Sequence, residues 1–588
     1  MDKNREADRE GKKAKRTRAT SARMLGYLQQ QRGTLISLTL LVLTGSVLTL
    51  LAPYLLGLAV DEYILLHNVN GMIRVCILLL IIYVTASLVS WLQNHLMAAV
   101  SSRVVWKLRE ELFGRLSRLP LRFFDRSKHG DLMSRTTNDM ENISNTLNQT
   151  LLQAITSTIM LIGSFGMMLY LNIWLTLVAM VTIPVVLFVI RRIVKQTKFH
   201  FAQQQKRLGT LNGYMEEMIT GQKAVKLYHR EQRESEQFAV QNEELTRAGI
   251  RAQILSGFVG PTMNMTNHLN FMLIAVAGAW MAVNEWVTVG IVVSFLNYSR
   301  QFSGPLNQLA NQYNMIQSGI AGAERVFEII DTPTEFDEET PLRQADFKHG
   351  RVDFDKVDFA YDVNPILRQV SFTAEPGQTI ALVGPTGAGK TTIINMLTRF
   401  YEISGGSIRI DGTDIRSYDK ESLRSRLGIV LQDAHLFSGT VLDNIRYGRL
   451  KATEEEVMAA AKLANADAMI RKLPQGYQTK LSAEGGNLSQ GQRQLVTIAR
   501  AILADPAILI LDEATSSVDT RTEMQIQEGL RVLMKGRTSF VIAHRLNTIR
   551  SADRILVIRD GEVTEQGTHE ELLALKGFYY GSHMLLAK

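Results

Sequence analysis

The sequence predicts a multidomain membrane protein: an all-α domain of six transmembrane helices with long cytoplasmic helical extensions, followed by an α/β domain built on a phosphate loop. Three observations predict it. Apolar runs of membrane length crowd the chain before about residue 318, and ordinary globular composition follows. Lys and Arg gather in the long segments between those runs and avoid the short ones. From about residue 350, apolar strand candidates alternate with helical patterns, and one strand runs directly into GPTGAGKTT.

The runs lie at 34–58, 73–97, 150–171, 173–192, 254–283 and 287–316, each long enough to cross roughly 30 Å of hydrocarbon as a helix. Their short connections, VDEYILLHNVNG, the YLN turn near 171 and VNEW near 284, hold no Lys or Arg. The long segments 98–149 and 191–252 hold many, among them Arg103, Lys107, Arg109, Arg115, Arg118, Arg191, Arg192, Lys195 and Lys198. Positive charge stays on the cytoplasmic side, so the N-terminus, both long segments and everything after the sixth run are expected there. The net charge of +8 is explained by this orientation better than by nucleic acid. In VVWKLREELFGRLSRL and FAQQQKRLGTLNGYMEEMI apolar residues recur at helical spacing among charges, so the helices should extend into the cytoplasm. Residues 1–33 form a basic tail expected to be disordered.

The single cysteine, Cys76, excludes an intrachain disulfide, gives no support to a metal cluster, and reads as a small buried hydrophobe. Prolines 53, 184, 261 and 305 fall within the runs and are tolerated there as kinks. Polar residues concentrate in PTMNMTNHLNFM (261–272) and FLNYSRQFSGPLNQ (295–308), which should face a wet cavity or partner helices rather than lipid. For His268 and Arg300, packing or an interfacial position competes with contact to a substrate.

In the C-terminal part, TIALV, GIVLQ, AILILD and TSFVIA are continuous apolar strands, the pattern of a buried, largely parallel sheet. The first enters the G-x-x-x-x-G-K-T loop spanning Gly384, Pro385, Thr386, Gly387, Ala388, Gly389, Lys390, Thr391 and Thr392. Such a loop turns backbone N–H groups inward around phosphates, adds the positive helix end, and supplies a lysine charge and a hydroxyl for Mg²⁺. AILILDEATSSVD ends a strand on Asp512 and Glu513: one acid suits the metal, the next a base that orients or deprotonates water.

With these motifs on the page, the chain resembles the ATP-binding cassette (ABC) family over nearly its whole length. Tyr361 in DFAYDVNP matches the aromatic that stacks on adenine, and Gln432 in VLQDAHLFSGT the glutamine linking magnesium to the membrane domain. LSQGQ (Leu488, Ser489, Gln490, Gly491, Gln492) resembles the signature that caps the ATP of a second cassette. SSVD, with Ser516 and Asp519, resembles the subunit-contact loop, and His544 the switch histidine. FFDRSKHGDLMSRTTND and GYMEEMITGQKAVKLYHRE resemble the coupling regions of ABC exporters, near 121–143 and 212–231. The resemblance implies a transmembrane domain at 34–317, a linker at 318–349 and a cassette at 350–588. It implies ATP and Mg²⁺ as ligands (Thr391, Gln432 and Asp512 on the metal), hydrolysis through Glu513 and His544, and a second half-transporter as partner.

It further implies multidrug-type efflux of hydrophobic or amphipathic compounds across a bacterial cytoplasmic membrane, with a homodimeric lipid flippase or lipid exporter as the alternative. A regulator or channel on the same frame is expected to lose hydrolytic residues, and a soluble ATPase has no use for six apolar spans. Exporters working as identical pairs commonly carry LSGGQ; LSQGQ is similar to the hydrolysis-competent chain of bacterial heterodimeric multidrug exporters, so a heterodimer is favoured over a homodimer.

Overall fold

The computed structural model describes residues 2–336, 343–432, 434–482, 485–512, 519–543 and 546–581. The chain divides into two compact units: Met1–Ser117 with His129–Thr332, and Arg118–Lys128 with Pro333–Lys588.

In the first unit every apolar run is helical. Span 1 is Arg32–Leu58, span 2 Val69–Leu116, span 3 Leu151–Leu171, span 4 Ile173–Thr220, span 5 Val259–Val283 and span 6 Val289–Ile330. Among the described residues four helical stretches, holding spans 1, 2, 3 and 5, are long and apolar enough to cross a membrane by length and composition. Span 6 is an unbroken helix whose apolar character is interrupted at Asn297, Ser299, Arg300 and Gln301. Spans 2 and 4 each run for 48 residues, about 72 Å at 1.5 Å per residue. That is more than twice the roughly 30 Å hydrocarbon layer, so both project well beyond it.

Local chemistry sets the ends. Asn68, Asn172 and Thr288 close the short connections, and their side chains accept from the backbone N–H of Gly71, Leu175 and Ile291 at 3.0, 3.0 and 3.3 Å, satisfying donors that a helix start leaves open. Spans 1 and 6 are zipped together by polar contacts from span 6 to backbone carbonyls: Ser294 Oγ donates to Pro53 O at 2.9 Å and Tyr298 Oη to Leu50 O at 2.5 Å. The Asp61 carboxylate accepts from the Gly290 N–H at 2.7 Å and from the Thr288 hydroxyl. Away from these seams large side chains such as Leu40, Leu80, Ile162 and Val276 are exposed, as a lipid-facing surface requires.

Several expectations are corrected. The basic tail is not disordered: Asp2–Gln29 is helix. Its Lys, Arg, Glu and Ala are good helix formers, and its last turns are pinned by Arg23 on Asp331 (2.6 Å), Tyr27 on Glu111 (2.5 Å) and the Arg23 guanidinium over the Phe327 ring (4.2 Å). Cys76 is exposed rather than buried, because it lies on the outward side of span 2. The fifth run, expected to be continuous from 254, breaks at Phe258 between a helix Glu231–Gly257 and span 5. Pro261 then falls in the first turn of span 5, where a missing N–H costs nothing. Residues 318–330, read as the start of a linker, continue the span 6 helix.

The second unit carries two sheets. β1 (Val352–Ala360), β2 (Pro365–Ala374), β4 (Gly405–Ile410) and β5 (Thr413–Asp414) form an antiparallel sheet ordered β2-β1-β4-β5. The larger sheet has β3 (Thr379–Val383), β6 (Leu427–Val430), β9 (Ile508–Asp512), β10 (Thr538–Ile542), β11 (Arg554–Arg559) and β12 (Glu562–Gly567), ordered β12-β11-β3-β10-β9-β6. A short pair, β7 (Gly439–Thr440) and β8 (Lys480–Leu481), stands apart. The four strands anticipated from sequence are β3, β6, β9 and β10, which run parallel; β11 joins them and β12 is antiparallel at the edge. Alternate residues feed two cores on opposite faces: Ala381, Leu509, Leu511 and Val541 on one, Ile380, Leu382, Ile510 and Phe540 on the other. This is why these strands are apolar throughout.

Candidate nucleotide site

Four parallel strands end at one edge of the sheet. Register pairs Ile542 with both Leu382 and Asp512, and Val430 with Leu511. The C-terminal ends of β3, β10, β9 and β6 therefore lie side by side. Gly384 follows the first, Asp512 closes the third, and Gln432 follows the fourth and is exposed. Glu513, Ser516 and His544 lie outside the described residues.

The phosphate loop takes its shape from two residues in the left-handed region, Gly387 at φ 84° and Gly389 at φ 105°, where an L side chain is strained. Gly389 is the N-cap of the helix Lys390–Leu397 and provides no side-chain cap, so the first N–H groups stay directed into the loop. Pro385, Thr386 and Gly387 are exposed along the loop, Ala388 and Thr392 are buried, and Thr391 is exposed. Lys390 is buried, and its Nζ donates to the carbonyls of Gly384 at 2.7 Å and Pro385 at 2.9 Å. Burial lowers the pKa of this amine, and the nearby Asp512 carboxylate opposes that shift. Bare amides, a helix start and a buried cation form a donor set for an anion of phosphate chemistry. Thr391, Asp512 and Gln432 offer hard oxygen ligands of the kind Mg²⁺ takes. Among the described residues no group of three or more His, Cys, Asp or Glu is placed to hold a metal ion; Mg²⁺ bound at such a loop typically takes further oxygens from a nucleotide and water.

Tyr361 follows β1. Its hydroxyl accepts from Asn395 Nδ2 at 3.0 Å on the phosphate-loop helix, and its ring meets Phe359 and Tyr401 edge-on at 4.8 Å each. Tyr401 in turn donates to Asp125, Arg122 Nη2 donates to the Tyr361 carbonyl at 3.3 Å, and Arg126 pairs with Asp362. Burial and the Asp125 bond together raise the Tyr401 pKa. Sequence reasoning placed a coupling region here without singling out Arg122, Asp125 or Tyr401. Asp125 and Arg126 inside the FFDRS match, with Arg122 just before it, were the available signal, and Tyr401 had none.

The signature stretch is a helix start of another kind. Ser489 is the N-cap of Gln490–Ala504, its Oγ accepting from the Gln492 N–H at 3.3 Å while Gln492 Oε1 accepts from the Ser489 N–H at 3.0 Å. This capping box satisfies two backbone donors reciprocally. Leu488 and Gly491 are buried, Gln490 and Gln492 half-buried, and Ser489 exposed. Asp519 is also a cap: its carboxylate accepts from the Thr522 N–H at 3.0 Å at the start of Thr520–Met534, which lowers its pKa.

Comparison with known proteins gives this geometry its context. Residues 35–306 match the family model for the ABC transporter transmembrane region, and residues 367–516 the model for ABC transporter. An uncharacterized ABC transporter ATP-binding protein, YfiC, of Bacillus subtilis is 48% identical over 96% of this chain and 94% of its own. A fatty acid ABC transporter ATP-binding/permease protein of Mycobacterium bovis is 45% identical over 86% of this chain and 80% of its own. The solved structure of a bacterial Atm1-family ABC exporter with ATP bound has a TM-score of 0.76 at 32% identity, covering 95% of this chain and 98% of that one. The chain thus belongs to the ABC transporter family, as a membrane-spanning exporter half-transporter whose helical transmembrane domain is fused to an ATP-binding domain.

Proposed function

We propose that this chain pairs with a second half-transporter and drives hydrophobic or amphipathic compounds out across a bacterial cytoplasmic membrane by alternating access, at the expense of ATP. One observation carries it: the ends of β3, β10, β9 and β6 gather the phosphate loop, Asp512 and Gln432 at one edge, while the exposed Ser489 helix start remains available to a second chain.

In this reading the loop amides from Gly384 to Gly389, with Lys390 and Thr392, hold the phosphates, and Tyr361 supports the adenine. Thr391, Gln432 and Asp512 hold Mg²⁺, which supplies charge neutralisation at the phosphates. Glu513, next along the chain from Asp512, orients or deprotonates the attacking water, and His544 senses the γ-phosphate. Leu488 to Gln492 cap the partner's nucleotide, and Ser516 and Asp519 meet the partner. Two nucleotides bridging two chains bind the closed pair better than the open one, the differential affinity a conformational shift requires. The coupling regions near 121–143 and 212–231 pass closure to the spans; the N-terminus and ATPase domain are cytoplasmic. The proposed boundaries are a tail at 1–33, a transmembrane domain from 34 through the end of the span 6 helix at Ile330, a linker from there to 349, and a cassette at 350–588.

Gln490 favours a heterodimer in which this chain keeps its own hydrolytic site and caps a poorer one. A second reading, export of lipid-like cargo by a homodimer, draws on the relative named as a fatty acid transporter. Proteoliposomes separate them. ATP-dependent movement of a hydrophobic dye, abolished by Glu513→Gln, is the result expected of multidrug efflux; movement of lipid alone by the chain without a partner is the result expected of the second reading.

A further inference from the structure

Between spans 5 and 6 lies an open cavity of about 260 Å³ with many polar residues in its lining. Span 5 contributes Asn264, Asn267, His268 and Phe271, the i, i+3, i+4, i+7 spacing of one helix face, and span 6 contributes Ser299 and Arg300. The two polar clusters of the sequence thus become one site. Arg300 lies about 12 residues beyond Thr288, the N-cap of span 6, or about 18 Å at 1.5 Å per residue, near the middle of a layer roughly 30 Å thick.

A cation at that depth is costly unless water or an anion meets it. Among the described residues Arg300 has no ion pair, and no carboxylate lines the cavity. Its guanidinium lies over the Phe271 ring at 4.9 Å. Behind it Asn270, 9% exposed, donates to Ser299 Oγ at 2.8 Å while its Oδ1 finds no partner among the described residues. The wall therefore carries an exposed positive charge that no carboxylate in the lining offsets; the unpartnered Asn270 Oδ1 is a buried acceptor and takes no part in holding an anion.

We infer that this cavity binds the anionic head, carboxylate or phosphate, of an amphipathic cargo, with Arg300 as its counter-charge; the inference deepens the export reading and rests on it. A guanidinium presents a planar fork to either head, and Asn264, Asn267 and His268 supply further donors. The cavity is smaller than the roughly 300–1,000 Å³ clefts that hold a whole drug-sized ligand, so it takes the head and leaves the tail to the apolar surface around it. A neutral or cationic head leaves Arg300 unmatched and is selected against.

The test uses the full chain in nanodiscs with four probes of equal tail length: dodecanoate, dodecyl phosphate, dodecanol and dodecyltrimethylammonium. Both anions should bind roughly tenfold or more tightly than the other two, and whichever anion binds better identifies the head. Arg300→Gln should remove the preference and Arg300→Lys retain most of it, with an unchanged thermal melt of the helical unit in nanodiscs reporting that each variant is folded. If Arg300→Gln fails to fold, the probe preferences of the native chain and of Arg300→Lys decide the matter. Equal affinity for all four probes, or an anion preference that survives Arg300→Gln, overturns the proposal. Vesicles then separate it from the export reading: ATP-driven transport without anion preference overturns this site and upholds export, whereas anion binding without ATP-driven transport upholds the site and overturns export.

Discussion

Two helix starts in the cassette are capped in opposite ways. The helix at Lys390 begins on Gly389 in a left-handed conformation with no side-chain cap, so its first amides are free for phosphate. The helix at Gln490 begins on Ser489, and the capping box with Gln492 already engages the N3 amide. Only the N–H groups of Gln490 and Gly491 remain to be presented. The first start leaves its amides open for an anion, at a cost in local stability; the second is stable by itself, and in the proposed pairing it adds a lesser contribution to a site on another chain. Gln490 changes a side chain at that second start and leaves its amide in place.

The largest effect should come from the first start. Lys390→Ala removes its only buried cation and should lower ATP turnover by roughly 10²- to 10³-fold, as loss of a preorganised charge at a reacting phosphate does; steady-state ATPase reads this. Next, Gly389→Ala forces an L residue to φ 105° with its Cβ 2.9 Å from Leu367 Cδ2. The left-handed conformation alone costs about 1–2 kcal/mol, to be seen as a lower melting temperature together with weaker ATP binding. Ser489→Ala should destabilise by about 1 kcal/mol through loss of the cap, leaving ATP binding to the chain's own phosphate loop unchanged; if that affinity falls too, the two starts are not independent.

The smallest effect is a pH dependence. Asp519 caps its helix with a carboxylate whose folded pKa lies below the ordinary 3.8 because the Thr522 amide donates to it. A depressed folded pKa means stability present above about 3.8 and lost as pH falls through the lower value. Hydrogen exchange on Thr520–Met534 should therefore accelerate in acid before that on Gln490–Ala504, whose Ser489 cap does not titrate.

What could be read in the sequence follows from the same distinction. The phosphate loop is a contiguous string whose residue types are fixed by backbone geometry, and the strands β3, β6, β9 and β10 are apolar because both faces are covered, so both were legible. Contacts between residues far apart in the chain were not. Asp125 and Tyr401 meet only after the cassette folds, and Tyr401 in TRFYEIS carries no local mark. The cavity was half legible: the polar residues of spans 5 and 6 stood out individually, but the axial register that sets Arg300 over Phe271 is not written in either helix. The N-terminal helix was missed because composition argued for disorder, while Arg23 and Tyr27 find partners on spans 6 and 2 more than 80 residues away.

In the proposed pairing the Gln490 helix start completes a nucleotide site on another chain. The direct test isolates one copy of the chain per nanodisc and measures ATP binding and turnover on the same sample. Binding without turnover is the predicted result; single copies that hydrolyse ATP as fast as the chain at high density would contradict it.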